Sequence, residues 1–407
     1  MLLNLAFRNL WRNSRRTLWT ISAMVVSSSR LILALGVFSG MFADMLASAT
    51  EQYYGHLVIS AQGYQDDRDM FKNFSDDPTL AGQLRALPEV RGASPRLRAF
   101  GLVAHAENTY PAELLGVHPL QEQQVTSFQQ HLVTGRYLDA GHKNGALIGS
   151  GLAKKLGIRP GDDLVFLTQA ADGSIGNDLL RVAGIFQTGA GNRDNALILV
   201  NLPWLQQLTV LPKRIHELAV TIADPMQAAP LAARLKTDLP TKLEILTWGQ
   251  LLPEMQEVIA SYNVSRLILV AILYAATGLG ILNTIFMSVL ERTQEFGILM
   301  AMGMRPRSIR LLVMLETLAL GVLSMTFGVV LGLAMTLYME QVGVDLSPYL
   351  SAVTYAGGTI LPRLSATFDM ANVTVPAAAL LLVSLVAGYF PARRAARLQP
   401  IEAIREE

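Results

Sequence analysis

The spacing of the long apolar runs constrains this chain more than any other feature. A helix needs about 20 consecutive apolar residues to cross a bilayer's hydrocarbon core. Four stretches qualify: Leu18 to Leu46, whose charges are Arg30 and Asp44; Leu267 to Leu290, with none; Leu311 to Met339, with Glu316 alone; and Val373 to Phe390, with none. Composition agrees, since 51% of the 407 residues are apolar and 16% are charged, against about 25% charged in an ordinary soluble domain. The first run is too long for a cleavable leader and lacks a small-residue cleavage site, so it reads as a retained anchor.

Charge placement gives an expected topology, because Lys and Arg of short loops stay on the cytoplasmic side. Arg8, Arg12, Arg15 and Arg16 precede span one; Arg292, Arg305, Arg307 and Arg310 lie between spans two and three; Arg393, Arg394, Arg397 and Arg405 follow span four. All three segments are therefore expected inside, with both termini cytoplasmic. The reading divides the chain into an N-terminal tail 1–17, spans 18–46, 263–290, 311–339 and 373–392, an external domain 47–262, an elbow 291–310, an external loop 340–372 and a tail 393–407. In the first tail Leu2, Leu3, Ala6, Phe7 and Leu10 recur at helical spacing opposite Arg8, Arg12 and Arg15, the pattern of a helix lying in the membrane surface.

The external domain reads as α/β. His56 to Ala61 alternates like a strand, Asp77-Pro78 opens a helix, and Arg96 to His105 and Pro111 to Val117 are strand-like. The order returns as strand His216 to Ile222, helix Pro225 to Leu239 and strand Lys242 to Thr247, which predicts a ferredoxin-like pair of halves. A β-rich insert, about 121–210, separates them and contains a Gly189-Ala190-Gly191-Asn192 turn.

Several chemistries are absent from the sequence. There is no cysteine for a disulfide, a zinc site or a nucleophile. The six histidines (His56, His105, His118, His131, His142, His216) show no ligand spacing and read as surface or turn residues, so no metal site is expected. No G-x-S-x-G elbow and no phosphate-cradling G-x-x-x-x-G-K-[ST] loop occurs, so no catalytic residue is expected in this chain. The charges balance, 33 basic against 32 acidic, which argues against a nucleic-acid-binding face.

The most specific stretch runs from Asn283 to Leu318. Glu291-Arg292-Thr293-Gln294-Glu295 closes the second span; Phe296, Leu299, Met300 and Gly303 then share one face of a short helix, which Met304-Arg305-Pro306 stops. Its apolar face is expected either to pack on the chain's own helices or to dock into a partner. Glu316 is expected at headgroup depth near Arg310. Arg30 falls close to the middle of span one, where it would cost about 2.5–3.5 kcal/mol; it reads either as lining a wet dimer interface or as a local oddity.

The run VLERTQEFGILMAMGM with Glu316 resembles the permease domain shared by FtsX, MacB and the LolC and LolE subunits. The ending AGYFPARRAARLQPIEAIR resembles the end of the same domain, and the N-terminal NLAFRNLWRNSRRTLWTISAMVV with the domain after it resembles the MacB-type periplasmic core. The resemblance implies an α-helical membrane protein with four transmembrane helices and a large α/β periplasmic domain, with porter and second subdomains, between helices 1 and 2. It implies a multi-pass permease of the type VII ABC transporter class in a bacterial inner membrane. Such a permease couples ATP hydrolysis by a separate ATPase, which binds ATP and Mg, to periplasmic movement, a process called mechanotransmission. The residues matching the family's ATPase-contacting elbow are Glu291, Glu295, Phe296, Gly297, Met300, Gly303 and Arg305. Pro253 to Leu290 can form one helix of about 57 Å at 1.5 Å per residue, long enough to project as a stalk.

The leading expectation for cargo, by similarity to LolC and LolE, is a lipoprotein or other amphiphile extracted from the membrane. Its entry, between spans one and two of opposite subunits, would be lined by Val37, Phe38, Met41, Met45, Val258 and Tyr262. Implied partners are the ATPase, a second permease copy or relative, membrane lipid and a periplasmic carrier. The alternatives are MacB-like tripartite efflux of peptides or small molecules, and FtsX-like signal transmission without transport.

Overall fold

The computed structural model describes residues 5–6, 8–9, 14–237, 239–350, 353–355, 358–360 and 362–397. The four apolar runs form four long helices: α1 (Ser14–Ala49), α6 (Pro253–Glu291), α8 (Pro306–Val342) and α9 (Met370–Ala395). Each is long and apolar enough to cross a membrane. α6 is unbroken over 39 residues. The chain divides into a helical unit, built from α1 up to Ala43 with Ile259–Tyr349 and the segment from Pro362 onward, and an α/β unit of Asp44–Val258 with Leu350–Leu361.

Small residues set the spacing of the helical unit. α1 and α8 run parallel, with Met24 opposite Ser324 (3.5 Å), Ser28 opposite Gly328, Ile32 opposite Gly332 and Gly36 opposite Thr336. A Cβ placed on Gly328 or Gly332 would lie 2.9 Å from the Cβ of Ser28 or Ile32, so the backbones approach as only glycine allows. α6 runs antiparallel to α1, with Thr20 beside Thr284 and Ser27 beside Thr277 at 3.5 and 3.3 Å. Asn372 at the start of α9 donates to Ser39 Oγ (2.7 Å) and accepts from Arg266 (3.3 Å).

In this register Arg30 is exposed on α1 and lies level with Val330 of α8.

In the α/β unit, β1 (Leu57–Ala61) leads to α2 (Pro78–Arg85), β2 (Val90–His105) and β3 (Asn108–Val117). Then come β4 (Leu132–Gly135), β5 (Gly145–Gly149), α3 (Ser150–Leu156), β6 (Asp163–Gln169), β7 (Ile175–Phe186), β8 (Leu197–Asn201) and α4 (Leu202–Leu208). β9 (Glu217–Ile222), α5 (Ala228–Leu235) and β10 (Leu243–Thr247) complete it. The ten strands form one sheet in the order β10-β1-β9-β2-β3-β8-β5-β7-β4, with β6 joining β2 to β7. Its first four strands are antiparallel with the order of a split β-α-β pair.

The insert was expected as a separate piece, but β2 is shared: Val90 to Arg96 pair with β9 while Gly101 to Ala104 pair with β6. One core of Leu97, Leu114, Ile148, Phe166, Ile198 and Leu205 lies against this shared part. The helix start at Asp77-Pro78 forms as its chemistry dictates, the Asp77 carboxylate accepting the Thr79 N–H at 2.8 Å.

Two histidines depart from the surface reading. His56 and His216 are buried, and Nδ1 of each accepts a backbone N–H, from Ile222 (3.0 Å) and Arg98 (3.1 Å). Burial pushes the His56 imidazole down to about 4. Beside His216 runs a buried chain of charges: Arg96 meets Glu122 at 2.6 Å, and Arg98 meets Glu217 at 2.7 Å and Glu113. Burial alone would raise the Glu217 carboxyl, but Arg98 and Arg96 hold it down to about 2.

The segment 343–368 forms two short ladders among its described residues, Val344–Asp345 with Arg363–Leu364 and Val353–Tyr355 with Gly358–Ile360. Of the N-terminal tail, Leu5, Ala6, Arg8 and Asn9 are helical, and Ala6 is buried in the helical core. Leu2, Leu3, Phe7, Leu10, Trp11, Arg12 and the end beyond Arg397 lie outside the described residues.

Candidate coupling site

The elbow is a nine-residue helix, α7 (Thr293–Ala301), between the end of α6 and the start of α8. Thr293 Oγ1 donates to Leu290 O at 2.8 Å and so satisfies a carbonyl at the end of α6. Its end is a Schellman closure: Gly303 N donates to Met300 O and Met304 N to Leu299 O, both at 3.0 Å. Gly303 carries a φ of 95°, which disfavours a side chain, so the sequence needs glycine there for the backbone. Arg305 then caps α8, with Pro306 in its first turn.

A buried charge cluster fastens this elbow. Arg292 donates through Nη1 to both oxygens of Glu316 (3.0 and 2.9 Å) and through Nε to Glu295 (3.1 Å), while its guanidinium lies 4.9 Å from the Phe296 ring centroid. Asn9 adds a bond to Glu316 at 2.6 Å. Arg292 and Glu316 are 8% and 6% exposed, so each needs the other. The expected partner of Glu316, Arg310, is an exposed residue; Arg292 takes that place because α7 folds back toward α8.

The faces of α7 also correct the sequence reading. Phe296 is fully buried in one cluster with Val289, Ile309 and Leu312, Gly297 is buried, and Leu299 and Met300 are half-buried against the same cluster. The apolar face is thus covered by the chain itself, and Phe296 is not available to a partner. The open edge is Gln294, Ile298, Ala301, Met302 and Arg305, with Ile298 46% and Met302 73% exposed. Of the other expected contacts, Glu291, Gly303 and Arg305 are exposed and Glu295 is half-buried. Ile298 and Met302 were missed because they fall outside the i, i+3, i+4 stripe that marks the buried face.

The cargo-entry residues, expected between spans one and two of opposite subunits, are drawn from both units. In the helical unit the Tyr262 ring lies 6.1 Å from Phe38 and 4.5 Å from Phe42, which the sequence reading omitted although it follows Phe38 by one turn. Val37 and Met41 are half-buried. In the α/β unit Val258 is half-buried, and Met45 is only 2% exposed, so Met45 cannot line an open entry.

Comparison with known proteins fits this architecture. The MacB-like periplasmic core domain matches residues 17–238, and the FtsX-like permease C-terminal domain matches residues 267–400. The lipoprotein-releasing system transmembrane protein LolC of Xylella fastidiosa (strain Temecula1 / ATCC 700964) is 26% identical, over 95% of this chain and 93% of the relative. LolE of Haemophilus influenzae is 24% identical over 80% of each chain. The macrolide export ATP-binding/permease protein MacB of Pasteurella multocida is 22% identical, over 99% of this chain but 60% of the relative. The chain belongs to the family of the MacB-like periplasmic core domain and is a membrane-embedded ABC transporter permease of the MacB/FtsX type, with LolC and LolE among its relatives.

Proposed function

We propose that this permease couples ATP hydrolysis on a separate ATPase chain to movement of its α/β unit, and that the cargo is a lipoprotein or comparable amphiphile drawn from the membrane. The observation that carries the coupling is the elbow: a short helix locked to α8 by Arg292 and Glu316, yet showing an open edge of Ile298, Met302 and Arg305. A push on that edge passes through the buried ion pair into α8, and through the continuous backbone into α6. α6 is 39 residues long, about 58 Å at 1.5 Å per residue, about twice a hydrocarbon core. Lipoprotein release is favoured because the LolC relative is matched over 93% of its length, whereas MacB is matched over 60%. In this reading the protein works as a dimer in a bacterial inner membrane, termini inside and α/β unit in the periplasm, and the ATPase binds ATP and Mg.

The test is a pulldown of the tagged full-length chain in nanodiscs, with mass spectrometry of the accompanying proteins. An ATPase with acylated lipoproteins supports the reading. An ATPase with a membrane-fusion protein and no lipoprotein moves the cargo to MacB-like efflux, and no ATPase overturns the coupling itself.

A further inference from the structure

The α/β unit contains a pocket that coupling does not use. It has a volume of about 270 Å³ and is lined by Tyr53, Tyr54, Arg68, Glu113, Asn192 and Arg193. Glu113 is already engaged, because Tyr53 Oη donates to it at 2.7 Å and Arg98 bonds to both groups. Arg193 is buried, with its guanidinium 4.9 Å over the Tyr53 ring and Nη1 donating to Ser48 O at 3.2 Å.

Arg68 differs. Among the described residues its half-buried side chain makes no hydrogen bond or ion pair, and its backbone is held at φ 52°, a conformation that costs a side-chain-bearing residue energy. The loop that presents it is rigid. Tyr64 is fully buried and stacked on His216 at 4.9 Å, His216 Nε2 bonds Met70 O at 3.1 Å, and Lys72 Nζ bonds Gly63 O at 2.9 Å and Asp67 at 2.7 Å. A strained backbone fixes a guanidinium that makes no hydrogen bond in a pocket whose single carboxylate is already bonded to Tyr53 and Arg98.

We propose that this pocket binds an oxyanion, a carboxylate or phosphate group, held between Arg68 and Arg193 with the Asn192 amide at its edge. Guanidinium forks match both oxyanions, and Leu197 and Leu252 supply apolar wall for a carbon substituent. The pocket, about 270 Å³ and open to solvent, has room for a small anionic head group. The site is independent of the elbow and of the cargo reading.

The experiment follows thermal unfolding of the full-length chain in phosphatidylcholine nanodiscs by tryptophan fluorescence, since Trp204 and Trp248 are buried in this unit. Sodium phosphate or sodium acetate replaces sodium chloride at constant ionic strength; a third arm uses phosphatidylglycerol nanodiscs in phosphate-free buffer. The expected result is a Tm that rises with the logarithm of anion concentration in the wild type, is flat in Arg68→Gln and is partly restored in Arg68→Lys. The Arg68→Gln variant separates binding from the general stabilising effect of phosphate. A rise in the phosphatidylglycerol arm alone assigns the oxyanion to a lipid headgroup, and a rise with phosphate or acetate assigns it to a soluble anion. If Arg68→Gln lowers the basal Tm, hydrogen exchange of residues 52–54 and 66–72 in the wild type decides, with slowing by anion expected. No response in any arm, or an Arg68→Gln response equal to the wild type, overturns the proposal.

Discussion

Arg292 holds Glu295 and Glu316 at once and covers the Phe296 ring, so its removal leaves a buried carboxylate without a counter-charge. Arg292→Met and Glu316→Leu are each expected to destabilise the chain by about 3–5 kcal/mol, while the double variant loses less than either alone, because replacing a whole buried pair with apolar groups is often close to neutral. Unfolding in nanodiscs measures this, and additive losses would contradict the pairing. Gly303→Ala is expected to cost about 1 kcal/mol by strain at positive φ, with Ala301→Ser on the exposed face near neutral as its control. His56 adds a pH effect. Its folded pKa, about 4, lies below the ordinary value of about 6.5, so the protein is most stable above that value and loses about 3 kcal/mol of stability as pH falls from 6.5 through 4. Hydrogen exchange of β1 and β9 at pH 7 and pH 4.5 reads it, and equal protection would refute it. Sequence pattern marked the Asp77-Pro78 cap and the position of the elbow, because both are local. It could not pair Arg292 with Glu316, which meet only after α7 folds back.

At the scale of elements, the seam of α1 and α8 rests on Gly328 and Gly332, where an added side chain meets Ser28 or Ile32. Gly328→Leu is expected to wedge the helices apart at about 1–3 kcal/mol or more, lowering membrane yield and Tm. Gly280→Leu, with nothing within 4 Å of its Cβ position, is expected to be tolerated; equal loss in both would sink the seam. The four spans were legible from hydropathy alone, and β1, β9, β10 and parts of β2 and β3 from their strand-like runs, while the insert was legible only as β-rich. The sharing of β2 between two halves was not, since a 16-residue strand hides the point where its partner changes from β9 to β6. The apolar stripe of α7 was legible too, but a stripe shows which face is buried without showing what buries it.

Across the whole molecule, an α/β unit continuous in sequence with two long helices and an open edge on the elbow of the helical unit are the two ends of the proposed coupling. The wild-type chain contains no cysteine, so one introduced thiol reports one position. The decisive measurement is disulfide or maleimide cross-linking of Met302→Cys and Ile298→Cys chains to the ATPase that copurifies with them, with Val330→Cys as the control on an exposed face of α8. Cross-links are expected from positions 302 and 298, with a yield that changes with ATP, and none from 330. Cross-linking at 330 but not at 302 or 298, with the ATPase still bound, would contradict the claim that this elbow receives the force.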